Sequence, residues 1–161
     1  MNSARPTITE QDGAWRQLVV FDGECPLCRR SVAFLLRHER APQTLLARLQ
    51  SPLAERLGGH FGVDPRRLES VWLIRGGQLY MRSDAMLRIS ECLHFPWSEV
   101  SRLRVLPTPL RDGAYRTIGR YRRQLVPPLE LGPQAHARMR EALSSAECQA
   151  LGLPKELADG L

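Results

Sequence analysis

The sequence predicts one α/β domain, a mixed central sheet flanked by helices, and three features carry that expectation. An apolar run ends in a turn that opens directly into a helix at Cys25-Pro26-Leu27-Cys28, a second strand and helix follow, and a glycine hairpin then leads into a third helix. A strand–helix–strand unit followed by an antiparallel hairpin and a helix gives a sheet with both parallel and antiparallel pairs. The length of 161 residues suits one core with appendages.

Met1 to Gly13 is polar and unpatterned, so residues 1–14 read as a flexible leader before a domain over residues 15–126. Leu18-Val19-Val20-Phe21 is short, apolar and rich in β-branched residues, and Asp22-Gly23 ends it, as expected of a buried strand entering a turn. Arg29 to Arg40 reads as a helix, with Val32, Ala33, Phe34, Leu35 and Leu36 giving a wide apolar face. Gln43 to Leu49 forms a second strand. Ser51 then caps a short helix with Pro52 at its first position, running through Leu57 until Gly58-Gly59 stops it.

Ser70 to Ile74 and Gln78 to Met81 flank Arg75-Gly76-Gly77, where glycines supply the positive φ of a tight hairpin. Ser83 caps the next helix and Asp84 complements its dipole, with Ala85, Ile89, Cys92 and Leu93 on the inner face. Leu110, Ala114, Ile118, Tyr121 and Leu125 recur at helical spacing, so Pro109 to Leu125 is expected to pack on the domain as an amphipathic helix that Pro127-Pro128 ends. The tail, residues 127–161, reads as partly helical or disordered. It holds a helix around Gln134 to Leu151, but little in it compels burial.

Apolar residues make up 43% of the chain and charged residues 25%, ordinary values for a packed protein. No apolar run approaches the roughly 18 residues of a bilayer span, and the first residues lack a hydrophobic signal segment, so a soluble, cytoplasmic protein is expected. The formal charge of +6 comes from 22 arginines and a single lysine, Lys155. Such a balance suits an acidic partner, RNA or an anionic membrane surface, although a bias toward arginine in the genome explains it as well.

The chain has 4 cysteines, too few for a secreted disulfide framework, and Cys92 and Cys148 stand alone. Cys25 and Cys28 form a CxxC pair at a helix start, where unpaired N–H groups and the dipole favour a thiolate on the first sulfur. Cys25 is therefore the expected nucleophile and Cys28, one turn later, the resolving thiol. Pro26 suits the first helical position and stiffens the loop between the sulfurs. Arg29 and Arg30 would assist ionisation and Glu24 would oppose it. Asp22 either relays the Cys28 proton or serves as a turn aspartate bonding nearby N–H groups.

A structural zinc site would need further paired ligands, whereas His38, His60, His94 and His136 are scattered singly. Inert structural cysteines are the other alternative. A phosphoryl-accepting aspartate at Asp22 is rejected, because Glu24 stands where a second aspartate belongs and no threonine follows. The pattern calls for no cofactor and no metal.

The motif Asp22-Gly23-x-Cys25-x-x-Cys28 resembles the DCC family of thiol-disulfide oxidoreductases, named for that aspartate and two cysteines. The resemblance continues through Val71 to Ile74, Ser83-Asp84-Ala85, Arg111-Asp112-Gly113-Ala114-Tyr115-Arg116 and Arg120-Tyr121-Arg122, covering Leu18 to Leu125. It implies a thioredoxin-like fold, with Cys25 and Cys28 matching the redox pair and Asp22 the family's aspartate. Gly23, Pro26, Arg29, Ser70, Ser83, Asp84, Arg111, Asp112 and Tyr115 are expected to support that site. A thioredoxin places a cis-proline before the third strand, opposite its CxxC; Glu69-Ser70 stands there instead. Substrate docking is expected to differ accordingly.

The late segment is basic, with Arg102, Arg104, Arg111, Arg116, Arg120, Arg122 and Arg123 against Asp112. Its simplest reading is a solvated face whose apolar stripe completes the core. No aromatic residue is interleaved there in a nucleic-acid-binding pattern, so no nucleic-acid partner is expected. Peripheral membrane contact stays open. The expected partner is a protein or small-molecule thiol or disulfide; the alternative function is a non-catalytic binding module whose basic face meets an acidic protein or a membrane surface. Oligomeric state is not encoded in any feature of the pattern.

Overall fold

A computed structural model of the chain describes residues 15–67, 71–125, 127 and 129–158. Strand β1 (Gln17–Phe21) leads into helix α1 (Pro26–His38), then β2 (Thr44–Arg48) and α2 (Pro52–Phe61). The hairpin of β3 (Trp72–Arg75) and β4 (Gln78–Met81) runs into α3 (Arg82–Ser90). A stretch of 3-10 helix (Trp97–Val105) precedes the long α4 (Thr108–Leu125), and α5 (Pro133–Arg138) and α6 (Ser145–Leu151) follow.

The sheet order is β2-β1-β3-β4, with β1 parallel to β2 and antiparallel to β3, and β3 antiparallel to β4. This is the expected thioredoxin-like arrangement, and β1, central, buried along its whole length and apolar from Leu18 to Phe21, is the strand that delivers the cysteine motif. Side chains alternate across the sheet. Leu18, Val20, Leu45, Ala47, Trp72 and Ile74 pack with Leu53 and Leu57 of α2 on one face. Val19, Phe21, Leu46 and Leu73 pack with Val32 and Leu35 of α1 and Ala85 and Ile89 of α3 on the other.

Three expectations need correction. Helix α2 does not stop at Gly58-Gly59: it runs to Phe61 and ends on Gly62, whose φ of 71° is the left-handed cap conformation. Gly58 serves a close approach instead, since a Cβ there would lie 2.4 Å from the Val63 carbonyl oxygen. Helix α3 is not capped by Ser83: Met81 holds the cap position without a side-chain bond, and Arg82 takes a φ of 55°.

The third correction concerns the tail, which is tied into the core. Leu143, Cys148, Leu151, Leu153 and Leu157 are buried with the α2 face of the sheet. A capping box of Ser144 and Glu147 starts α6. The Arg140 N–H donates to the Leu46 carbonyl at 2.8 Å, and the Met139–Leu46 bridge covers part of the free edge of β2. The Gly77 N–H donates to the Leu151 carbonyl at 2.7 Å, and a Cβ on Gly152 would lie 2.6 Å from Gly77 N, so the hairpin turn and the end of α6 meet backbone to backbone.

Candidate active site

The motif sits where the central strand β1 ends and α1 begins. Asp22 is buried, and its Oδ1 accepts from the Glu24 N–H at 3.0 Å and from Gln50 Nε2 at 2.7 Å. The Cys25 N–H donates to the Asp22 carbonyl at 3.3 Å, closing the turn. Gln50 also accepts from the Gly23 N–H at 3.1 Å. It thus ties two residues of the motif to the β2–α2 connection, a role that no sequence pattern flagged because the partners lie 27 and 28 positions apart. A Cβ on Gly23 would meet Arg48 Cδ at 2.9 Å, so the turn passes close to β2.

Cys25 is the N-cap of α1 and Pro26 occupies its first turn, as expected. All cysteines described are free thiols. The two of the motif differ in access: Cys25 is buried at 1% exposure, whereas Cys28 is half-buried and opens onto a groove. Arg29 binds two backbone carbonyls. Its Nε donates to the Gly23 carbonyl at 2.6 Å and Nη1 reaches the Leu129 carbonyl at 3.4 Å, clamping the motif turn to the chain beyond α4. Arg30 Nε similarly donates to the Pro127 carbonyl at 3.2 Å.

The groove is about 550 Å³, bounded by α1, α3 and α4 over the sheet end. Cys28, Leu27 and Val32 form one wall, Met86 and Leu87 of α3 another, and Leu110, Ala114, Tyr115 and Ile118 of α4 the third. The apolar stripe of α4 therefore does not complete the core. Leu110 and Ile118 are 63% and 54% exposed, facing this groove.

The remaining expected residues divide between groove and framework. Arg111 and Tyr115 line the groove with Cys28, and Ser83 lies at its floor. The Ser83 hydroxyl donates to Asp112 Oδ1 at 2.5 Å, holding α3 to α4. The Tyr115 hydroxyl accepts from the Val71 N–H at 3.1 Å, fixing α4 to the entry of β3. Asp84 pairs with Arg88 at 3.1 Å on its own helix, and no bond described takes it to the groove. Ser70, with the position compared to the cis-proline, lies outside the described residues. Among the described residues no group of three or more His, Cys, Asp or Glu side chains is placed to hold a metal ion.

A family model described as DCC1-like thiol-disulfide oxidoreductase matches residues 19–127. The chain belongs to the DCC1-like family. It is 29% identical over 106 residues to the uncharacterized protein YuxK of Bacillus subtilis, covering 66% of this chain and 77% of that one. It is 30% identical over 108 residues to a chloroplastic DCC family protein of Arabidopsis thaliana, covering 66% of this chain and 63% of the relative. No solved structure matches. The family match of this DCC1-like chain ends at residue 127, so α5 and α6 lie outside it, and Leu129, just past that limit, holds Arg29 from there. Among the described residues no helix is long and apolar enough to cross a membrane.

Proposed function

We propose that this DCC1-like protein catalyses thiol-disulfide exchange through Cys25 and Cys28, with Cys25 attacking and Cys28 resolving. One observation supports it above the rest: two free cysteines flank Pro26 on the first turn of a helix fed by the central strand, and one of them opens onto a groove. The N-terminal end of α1 favours negative charge beside Cys25. Asp22, buried beneath the same turn, is the candidate proton acceptor for the second thiol, in addition to its turn-forming bonds. A protein or small-molecule thiol or disulfide is the substrate class.

A specific observation favours the reverse order of attack, since Cys28 is the accessible sulfur and Cys25 is covered. Trapping separates the two. Under the first order, Cys28→Ser accumulates a mixed disulfide at Cys25 and Cys25→Ser is inert; under the second, the results exchange. Mass mapping of the adduct reads the outcome. A pair that never oxidises across a glutathione series refutes exchange altogether.

A further inference from the structure

We infer that the groove beside Cys28 seats a small-molecule disulfide that has an apolar body and an anionic end group. The inference rests on the exchange chemistry proposed for Cys25 and Cys28 but not on which sulfur attacks first. Three properties of the groove select the occupant. Its volume of about 550 Å³ suits a compact organic molecule, since such sites run from roughly 300 to 1,000 Å³. Its walls are apolar, and several of the side chains forming them, Met86, Leu103, Leu106, Leu110 and Ile118, stay exposed to water at a cost that an apolar occupant relieves. Cys28 lines one wall, so the reacting sulfur of the occupant lies at that end.

Charge fixes the other end. Arg111 lines the groove half-buried, and its guanidinium meets neutral oxygens: the Leu106 carbonyl at 3.0 Å, Thr108 Oγ1 at 3.0 Å and Ser83 Oγ at 3.5 Å. The neighbouring Asp112 directs Oδ1 to Ser83. Arg116 and Arg120 are exposed on the same helix and add to its positive charge. A guanidinium in apolar surroundings favours a carboxylate or sulfonate over a neutral group.

The chemistry balances without a further reagent. A thiolate of the reduced pair attacks the disulfide R–S–S–R, forming a protein–S–S–R bond and releasing one thiolate. The second cysteine attacks that bond, closing Cys25–Cys28 and releasing the other. The pair loses two electrons, the substrate gains them, and the two thiol protons leave with the products.

The test mixes reduced protein with three disulfides and normalises each rate to that of the same disulfide with glutathione thiol. The probes are 5,5′-dithiobis(2-nitrobenzoate), aromatic and anionic; 4,4′-dithiodipyridine, aromatic and neutral; and 2-hydroxyethyl disulfide, small and polar. The normalised rates are expected to fall in that order, about tenfold at each step. Arg111→Gln is expected to narrow the anionic-to-neutral ratio about tenfold, and Ala114→Trp, filling the groove, to narrow the aromatic-to-hydroxyethyl ratio about as much. Ile118→Trp replaces Ala114→Trp if circular dichroism shows that the latter is unfolded. Equal normalised rates for all three, or ratios that neither variant moves, overturn the inference while leaving exchange intact. Failure of every probe to oxidise Cys25–Cys28 refutes exchange itself.

Discussion

Glu39 and Arg138 form a buried ion pair that joins the end of α1 to α5. Glu39 also accepts from Thr44 Oγ1 at 3.1 Å, Thr44 accepts from Gln17 Nε2 at 2.8 Å, and Gln17 accepts from Arg75 Nη2 at 2.6 Å. Arg75 continues to Glu91 at 2.8 Å. This chain of polar contacts crosses the sheet end and links the C-terminal segment to α3. Replacing Arg138 by Met leaves a buried carboxylate with only the Thr44 hydroxyl, and removing one partner of such a pair costs about 3–5 kcal/mol. With a urea m-value of about 2 kcal/mol per molar, the midpoint is expected to fall by about 2 M. Glu39→Gln is expected to cost a similar amount, and the double variant distinctly less than the sum, because both changes remove one shared contact. Fluorescence of the buried Trp15 and Trp72 reports the transition. Single variants that each shift stability by less than about 1 kcal/mol, or that add without coupling, refute the view that this pair holds the tail to the domain.

Three further outcomes are expected. Gly59→Ala is expected to stabilise by about 0.5–1 kcal/mol, because a Cβ meets nothing there, whereas Gly58→Ala destabilises through its clash with the Val63 carbonyl; parallel urea curves read both, and equal effects would refute the contrast. Leu151→Ala is expected to cost about 2–5 kcal/mol, and a loss below about 0.5 kcal/mol would show that α6 is not part of the core. Burial raises the Cys92 thiol above its ordinary 9.0, more than the Gln17 hydrogen bond lowers it. The folded state then keeps a proton that the unfolded state sheds, so stability is expected to decline as pH rises past 9.0 toward the raised value. Cys92→Ala should flatten that decline in a pH series of melting curves, and an unchanged slope would refute the assignment.

The parts legible in the sequence are those set by local rules. The apolar run of β1, the glycine turn of the β3–β4 hairpin and the proline inside CxxC each act within a few residues, and the folded chain follows them. Contacts between distant segments were not legible. Gly58 resembles a helix stop until Val63 and Pro65 are seen against it. Ser83 resembles a cap but bonds Asp112, 29 residues away. The periodicity of α4 identifies an apolar face without saying what it faces, so Leu110 and Ile118 looked like core and proved to be groove wall. The unequal access of Cys25 and Cys28 likewise depends on what covers the turn, which spacing does not encode.

The two faces of the sheet have different tasks. Cys28 and the groove belong to the α1 and α3 side, while α2 and α6 fill the other with leucines. The groove's lining comes from one layer, with Val19 and Phe21 of β1 its share of the sheet, and the larger apolar layer lies behind β1. Substitutions on α4 and its neighbours are therefore expected to reshape the groove while the opposite layer acts as a reserve of stability against the cost of each change.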